Sequence, residues 1–173
     1  MKEIVIVTER LILKPLTTVY LETVNAYALC PDNARYMCYF PYRDSEETLE
    51  KLQSFESEWN KDHPDFYEFA VLFNGKHIGG VTLYCEDGAG ELAWIIHRDY
   101  WGKGFAFEAA KALIDYFSKH GFTRFIATCD TRNVASYRLM EKLGMSRKAE
   151  LGGRKNRMSE AESSEYLYEL IIK

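Results

Sequence analysis

Apolar residues recur along the chain with two different periods, and both periods occur several times. Four segments place apolar residues at three- and four-residue steps, which predicts helices over 17–29, 44–62, 105–120 and 134–143. Seven others are alternating, β-branched or aromatic, which predicts strands over 3–16, 66–73, 77–85, 91–97, 122–129, 145–151 and 165–172. Helices and strands are mixed around a mostly antiparallel hairpin centre. The pattern predicts one α/β (α+β) domain over residues 1–173.

Glycine and polar residues mark the connections between these elements. Asn74-Gly75 predicts a two-residue hairpin turn, and Gly79-Gly80 in the following strand indicates a bulge or a close backbone neighbour. Thr17 or Thr18 is expected to cap the first helix. The polar, glycine-led segment 152–164 predicts a mobile loop before the last strand.

One connection, residues 33–41, is dense in aromatic side chains. It contains Tyr36, Tyr39 and Phe40, and Tyr42 follows directly. These rings suit either core packing beneath a loop or the wall of a small-molecule pocket. Both interpretations stay open at the level of the sequence.

Composition narrows the class of protein. The chain has 173 residues, of which 47% are hydrophobic and 14% aromatic, which is typical of a globular protein. A net charge of −4 and a pI near 5.6 argue against direct, sequence-independent binding of nucleic acid, which needs a basic footprint. Mild acidity agrees weakly with a cationic substrate.

Cysteine usage and hydropathy indicate the compartment. Cys30, Cys38, Cys85 and Cys129 are scattered, without a C-x-x-C pair or histidines at zinc-ligand spacing. Disulfides and a metal site are therefore not expected. The chain shows no signal peptide and no run of about 20 apolar residues, so we expect a cytoplasmic protein that does not bind membranes.

A glycine turn between a strand and a helix is the strongest candidate for chemistry. Gly102, Lys103 and Gly104 lie between the apolar run ending at Ile96 and the helix predicted from Phe105. Glycine permits close backbone approach, and the first N–H groups of a helix lack intrahelical partners, which suits an anion such as a pyrophosphate. Phe107 breaks the dinucleotide fingerprint, and Gly104 stands where a triphosphate loop needs Ser or Thr. An ordinary strand-to-helix turn remains the alternative.

Three motifs in order resemble the GNAT N-acetyltransferases, and most closely their ribosomal-protein N-terminal acetyltransferase branch. The segments Glu91–Ile96 and Tyr100–Ala109 resemble the acetyl-CoA-binding segment of that family. Asn133–Ser136 followed by Met140–Met145 resembles the second motif of the branch, and Thr8–Leu16 resembles its usual start. The resemblance implies the GNAT fold, a mixed, mostly antiparallel, twisted sheet flanked by helices and splayed at its central strands.

The resemblance also implies how acetyl-CoA is held. Family members grip the pyrophosphate with backbone amides that correspond to Gly102, Lys103, Gly104, Phe105 and Ala106. The pantetheine arm pairs with the splayed strand, here Trp94 to His97, and an amide of Ile95 or Ile96 would stabilise the oxyanion. The asparagine that touches pantetheine corresponds to Asn133. No nucleophilic side chain is needed, since the acceptor amine attacks the thioester.

Two proton transfers remain to be assigned. Glu91 lies at one end of a buried strand, where desolvation would raise its pKa and make it a general base; a solvated strand-edge carboxylate is the equally weighted alternative. Much of the superfamily carries its acid, a tyrosine, at the position of Met140. The branch assigns that role to the serine at Ser136, which otherwise suits the first turn of a helix.

Together these observations predict transfer of acetyl from acetyl-CoA to a primary amine by direct attack. The expected partners are acetyl-CoA and an amine acceptor, which is either a protein N-terminus or a small molecule such as a polyamine or an aminoglycoside. A homodimer is one arrangement considered. The alternative from another class is a catalytically idle acyl-CoA-binding sensor, motivated by Met140.

Overall fold

A computed structural model describes residues 4–86 and 89–172, so Glu3 in the first predicted strand and Asp87-Gly88 lie outside the described residues. Eight strands form one open sheet in the order β1-β2-β3-β4-β5-β6-β8-β7. Their bounds are β1 Ile6–Val7, β2 Leu11–Pro15, β3 Phe66–Phe73, β4 Lys76–Glu86, β5 Ala89–Ile96, β6 Arg124–Asp130, β7 Ser146–Arg154 and β8 Ser163–Ile171. The predicted mixed sheet is confirmed.

Five α-helices flank the sheet. Their bounds are α1 Leu21–Ala28, α2 Pro31–Ala34, α3 Ser45–Trp59, α4 Phe105–Ser118 and α5 Val134–Lys142. Helix α3 begins where its sequence predicts, because the Asp44 side chain accepts a hydrogen bond from the backbone N–H of Glu47 at 2.9 Å. No helix within 4–86 and 89–172 is both long and apolar enough to cross a bilayer.

The sheet splays at its centre, as expected. All neighbouring strands are antiparallel except β5 and β6, which are parallel. That pair is joined only between Ala89–Glu91 and Arg124–Ile126, although both strands continue beyond those residues. The remaining edge of β5 therefore has no strand partner, and the two strands enclose a wedge that opens toward their C-terminal ends.

The two faces of the sheet carry separate hydrophobic clusters. Helix α4 packs Ala109 and Leu113 into the larger cluster, which includes Ile96 of β5. The smaller cluster joins Tyr27 of α1 and Leu52 of α3 to Ile95 of β5. Since successive strand residues point to opposite faces, Ile95 and Ile96 tie β5 to both layers.

The paired glycines of β4 fulfil both expectations of the sequence. The register of β3 against β4 shifts beside Gly79, which pairs with Val71 while His77 pairs with Leu72. A Cβ atom at Gly79 would lie only 2.8 Å from the Cα of Ile96 on β5. A side chain there would therefore push β4 away from β5.

Two connections differ from the sequence prediction. The predicted N-terminal cap of the first helix is wrong. A 3₁₀ turn over Thr18–Tyr20 precedes α1, and the Thr17 side chain makes no capping bond. The Thr18 hydroxyl and N–H both donate to Glu56 of α3 instead. The predicted loop 152–164 is also shorter, because β7 extends to Arg154 and β8 begins at Ser163.

Candidate functional site

The unpaired edge of β5 presents specific backbone groups to the wedge. The N–H of His97 donates to the carbonyl of Ile78 on β4 at 2.8 Å. Because the backbone groups of successive strand residues point to opposite sides, the N–H of Ile95 also faces β4, whereas those of Trp94 and Ile96 face the wedge. Of the two amides predicted to face a thioester carbonyl, the geometry favours Ile96.

Two side chains fix the end of this edge. The carbonyl of Ile96 accepts hydrogen bonds from Asn33 Nδ2 and from Trp101 Nε1, each at 2.7 Å. That carbonyl is therefore fully occupied, while the N–H of the same residue stays available. The sequence analysis assigned no role to Asn33 or Trp101, because their contact with β5 joins residues far apart in the chain or across a tight turn.

The glycine turn exposes a continuous run of backbone donors. Gly102 and Gly104 have φ angles of 73° and 78°, in the region that glycine adopts without strain. Between residues 102 and 107 no N–H group donates a hydrogen bond to any residue in 4–86 or 89–172. The first such bond of α4 runs from the N–H of Glu108 to the carbonyl of Gly104 at 3.0 Å. The bare donors that the sequence predicted are present.

Arg10 supports this turn from behind. Its Nη1 donates to the carbonyl of Lys103 at 3.0 Å, and its Nε donates to Glu108 Oε2 at 2.7 Å. Since a trans peptide holds C=O and N–H in opposite directions, a carbonyl held by Arg10 turns the N–H of Gly104 outward. The only sequence signal for this residue is the opening motif Thr8–Leu16, to which no role was assigned.

The Lys103 side chain folds away from the donors of the turn. Its Nζ donates to the carbonyl of Asp99 at 3.0 Å and lies 5.2 Å from the centre of the Tyr100 ring. The Lys103 side chain thus places a positive charge beside the turn, while its backbone N–H remains one of the exposed donors. Phe105 anchors the turn, because its ring is buried in the larger core cluster.

Glu91 lies at the vertex of the wedge. It is the last residue of β5 that pairs with β6, opposite Ile126, and its Oε1 lies 3.4 Å from the hydroxyl of Thr128. Burial raises the pKa of this half-buried carboxyl, and the neighbouring charge of Glu86 raises it further. Glu91 is therefore not a fully solvated carboxylate.

Asn133 and Ser136 lie across the wedge at the start of α5. Asn133 Oδ1 accepts the N–H of Ser136 at 3.2 Å, which caps the helix and leaves the amide nitrogen of Asn133 without a bond among the described residues. The Ser136 hydroxyl likewise makes no bond within the described chain. Met140 is fully buried in the core, so its side chain occupies no reactive position.

A cluster around Asp130, which the sequence analysis missed, holds the end of β6. The carboxyl of Asp130 is fully buried and accepts from Arg132, Asn156 and Ser163. Burial would raise its pKa, but these hydrogen bonds outweigh burial and hold the pKa well below its usual range. The backbone N–H of Asn133 also donates to the carbonyl of Asp130 at 2.9 Å. The cluster therefore sets the position of Asn133.

The segment between β7 and β8 is fastened across the sheet. Arg154 Nη2 donates to the carbonyl of Tyr36 at 3.0 Å, and Arg157 pairs with Glu47 of α3 at 2.8 Å. The bond from Arg157, together with bonds from Arg43, lowers the pKa of Glu47 to about 2. The segment that the sequence predicts as a mobile loop is thus anchored to the segment 33–41 by arginine side chains.

A groove of about 360 Å³ lies where the two segments meet. Its lining comprises Pro31, Asp32, Arg35, Tyr36, Arg132, Met158 and Ser159. The aromatic residues of the segment 33–41 thus divide between the two predicted roles. Tyr36 lines the groove and Tyr39 is 73% exposed, whereas Phe40 and Tyr42 pack into the smaller core cluster.

Within 4–86 and 89–172, no three His, Cys, Asp or Glu side chains are grouped so that they could hold a metal ion. What the wedge does offer is a free strand edge, a run of bare amides and a carboxyl with a raised pKa.

Comparison with known proteins identifies relatives of this arrangement. Residues 10–146 match the family described as Acetyltransferase (GNAT) domain. A Bacillus subtilis (strain 168) protein, "Uncharacterized N-acetyltransferase YnaD", is 30% identical over 145 residues, 82% of each chain. A GNAT-family acetyltransferase from Bacillus anthracis has a TM-score of 0.84 at 26% identity, over 97% of this chain and 98% of that one. RimL, the ribosomal L7/L12 α-N-protein acetyltransferase in complex with coenzyme A, shares the fold with a TM-score of 0.84 at 15% identity, over 98% of both chains.

Proposed function

The chain belongs to the GNAT acetyltransferase family, and we propose that it transfers acetyl from acetyl-CoA to a primary amine by direct attack. The observation that carries the proposal is the run of bare N–H groups between 102 and 107, at the mouth of the wedge between β5 and β6. A helix N-terminus with free donors stabilises an anion, and an unpaired strand edge receives an extended ligand.

Acetyl-CoA would lie along both features. The amides of Gly102 to Ala106 would hold the pyrophosphate, and the pantetheine would pair with β5 from Trp94 to His97 as an added strand. The amide nitrogen of Asn133, which its capping bond leaves free, would contact pantetheine from the other side of the wedge. RimL in complex with coenzyme A, which shares the fold, supports this cosubstrate.

The chemistry then needs only the acceptor and three protein groups. The amine lone pair attacks the thioester carbonyl, forming the C–N bond, and the N–H of Ile96 stabilises the resulting oxyanion. Glu91 takes a proton from the amine nitrogen, directly or through water. As the C–S bond breaks, the electron pair stays on sulfur, and the Ser136 hydroxyl donates a hydrogen bond to the departing thiolate.

For the acceptor we place a protein N-terminal amine first and a small-molecule amine second. RimL acts on an α-amine of L7/L12, and its shared fold supports the first choice. The groove of about 360 Å³ beside Tyr36 suits either a few N-terminal residues or a compact small molecule.

Release of free thiol from acetyl-CoA, measured with a panel of N-terminal peptides, polyamines and aminoglycosides, tests the proposal. Amine-dependent thiol release with a matching acetylated product is the expected result. Saturable binding of acetyl-CoA with no turnover on any amine would instead support the sensor. Cys30, Cys38, Cys85 and Cys129 are free thiols, which agrees with the cytoplasmic location we propose, so the assay should be run with reductant.

A further inference from the structure

One buried acid has no cation beside it. Among the residues that the structure describes, three carboxyl residues are buried: Glu47, which pairs with Arg157; Asp130, which pairs with Arg132; and Glu68 of β3. Glu68 is 8% exposed and accepts a single side-chain bond, from the Thr82 hydroxyl to Oε2 at 2.5 Å. Across 4–86 and 89–172 no Lys, Arg or His nitrogen lies within 4.0 Å of it. A buried carboxylate without a counter-ion is costly.

The Glu68 carboxyl points toward the end of β5 that carries the proposed oxyanion amide. A Cβ atom at Gly80 would lie 2.8 Å from Glu68 Oε1, so the side chain extends over that glycine. Gly80 pairs directly with Ile95, and such paired Cα atoms lie about 5.5 Å apart. The absence of a side chain at Gly80 leaves the carboxyl room beside Ile95.

The side chains of Tyr27 and Tyr42 both lie in the neighbourhood of the Glu68 carboxyl. The Tyr27 hydroxyl lies 3.7 Å from the position of that Gly80 Cβ atom. Tyr27 and Tyr42 are 2% and 7% exposed, and both belong with Ile95 to the smaller cluster. Among the described residues neither hydroxyl has a hydrogen-bond partner. Neither hydroxyl is among the fully enclosed polar atoms, so a polar ligand beside the Glu68 carboxyl can reach both.

The charge of Glu68 is felt by these tyrosines. Burial raises the pKa of Tyr27 and of Tyr42, and the Glu68 carboxylate raises both further. Burial also raises the pKa of Glu68 itself, to about 7, partly offset by the Thr82 bond. A cation bound beside Glu68 would favour the ionised form of its carboxyl and would donate hydrogen bonds to the two tyrosine hydroxyls.

We propose that Glu68 is the counter-ion of the acceptor's ammonium group, with the hydroxyls of Tyr27 and Tyr42 as further hydrogen-bond acceptors. The proposal rests on the acetyl-transfer function proposed above and defines its acceptor as an amine that enters as a cation. Aromatic rings and a carboxylate together form the usual environment of a bound ammonium ion. Glu68 thus sets specificity and position.

Glu91 and Glu68 have separate tasks in this arrangement. Glu91 lies four residues before Ile95 on the same strand, a span of about 13 Å between Cα atoms, and contacts β6 through Thr128. Glu68 reaches Ile95 from the opposite side, across β4. The ammonium group first binds at Glu68 and loses one proton to solvent, which frees the nitrogen lone pair for attack; the second proton leaves toward Glu91 through water as the C–N bond forms.

Steady-state kinetics of Glu68→Gln with acetyl-CoA and the best amine of the panel test the proposal. We expect KM for the amine to rise by about 30-fold, with kcat changed less than threefold and with unchanged affinity for acetyl-CoA. Glu50→Gln, which removes one negative charge from the exposed side of α3, controls for net charge and should match the wild type. An unchanged KM in Glu68→Gln would overturn the inference.

A neutral nucleophile separates charge recognition from a structural role. Hydroxylamine is uncharged at neutral pH, so its acetylation by Glu68→Gln should equal that by the wild type. Methylammonium should inhibit wild-type turnover competitively and Glu68→Gln far less. If Glu68→Gln loses hydroxylamine and amine activity equally, Glu68 is merely structural and the inference fails. If the wild type turns over no amine at all, the proposed function fails instead.

Discussion

A single arginine determines which way one peptide of the glycine turn faces. Arg10 binds the carbonyl of Lys103 and the carboxylate of Glu108, and its guanidinium lies 4.6 Å from the centre of the Phe105 ring. The geometry of the glycine turn therefore depends on Arg10 as well as on Gly102 and Gly104. Its donors point outward because a residue 93 positions away in sequence holds the carbonyl on the other side of the peptide.

Replacing Arg10 should weaken coenzyme binding without unfolding the protein. In Arg10→Gln the carbonyl of Lys103 loses its charged donor, so the peptide is held less firmly. The binding free energy of coenzyme A should weaken by about 1 kcal/mol, which is roughly a fivefold rise in Kd. Isothermal titration calorimetry measures this Kd. Arg124→Gln, which removes an exposed arginine paired with Glu169 at 2.7 Å, is the matched control and should bind normally. Equal binding by both variants would show that the turn needs no support.

Glu91 should determine the acidic limb of the pH–rate profile. A base works only when ionised, and burial raises its pKa above the ordinary 4.5, so kcat should fall as pH decreases through that higher value. Glu91→Gln should lower kcat about 100-fold and abolish this limb. Glu86→Gln, a nearby exposed carboxylate, should shift the limb slightly to lower pH and leave the maximum unchanged. A Glu91→Gln variant with the wild-type profile would remove Glu91 from the mechanism.

At the scale of elements, one glycine with a positive φ angle precedes helix α4 and another follows it, and of these two only Gly104 adjoins the bare amides. Gly104 precedes the helix with φ 78°, and Gly121 follows it with φ 96°. A substitution at either costs backbone strain of about 1 kcal/mol. Only a substitution at Gly104 would place a side chain beside the bare amides.

The two positions give a matched pair of variants. Gly104→Ala and Gly121→Ala should lower the free energy of unfolding by similar amounts, about 1 kcal/mol each, in urea titrations. Gly104→Ala should in addition weaken coenzyme A binding at least tenfold, because its methyl group and altered φ displace the anion. Comparable coenzyme binding by both variants would contradict a role of the turn in holding the pyrophosphate.

Local patterns predicted the helices, the strands and the glycine turn because the residues that determine them are close in sequence. The Asn74-Gly75 hairpin, the Asp44 cap of α3 and the Gly102–Gly104 turn each depend on a few neighbouring residues. Asn33 differs, since its side chain reaches Ile96 across 63 positions. Such polar contacts have no periodic signature, so the end of β5 could not be assigned its supports before the fold was known.

The loop 152–164 shows the same limit at larger range. Its composition is that of a solvated segment, and only the fold brings Arg154 to Tyr36 and Arg157 to Glu47. The bonds of these two arginines fix the position of an otherwise polar segment. The acceptor side of the wedge was therefore less predictable from sequence than the coenzyme side.

Across the whole molecule, two buried groups should give stability opposite pH dependences. Burial lowers the pKa of His77 from 6.5 to about 4, so the stability it confers is present above 6.5 and lost as pH falls toward 4. Burial raises the pKa of Glu68 from 4.5 to about 7, so stability is lost as pH rises over that interval. The two trends oppose each other between about 4.5 and 6.5.

Removing one of them should unmask the other. Since Glu68→Gln cannot ionise, its free energy of unfolding relative to the wild type should increase as pH rises from about 4.5 to about 7. Urea unfolding at several pH values, without amines that could bind, measures this difference. A difference that is constant over that interval would show that Glu68 titrates in the folded protein as it does in water.

The account as a whole depends on bare backbone amides that receive coenzyme A at the wedge between β5 and β6. Titration of ¹⁵N-labelled protein with acetyl-CoA, followed by amide chemical shifts, tests this most directly. We expect the largest shifts at Gly102, Gly104, Phe105, Ala106 and the N–H of Ile96, and almost none at the N–H of Ile95, which faces β4. Saturable binding that leaves the amides of 102–106 unmoved would contradict the account.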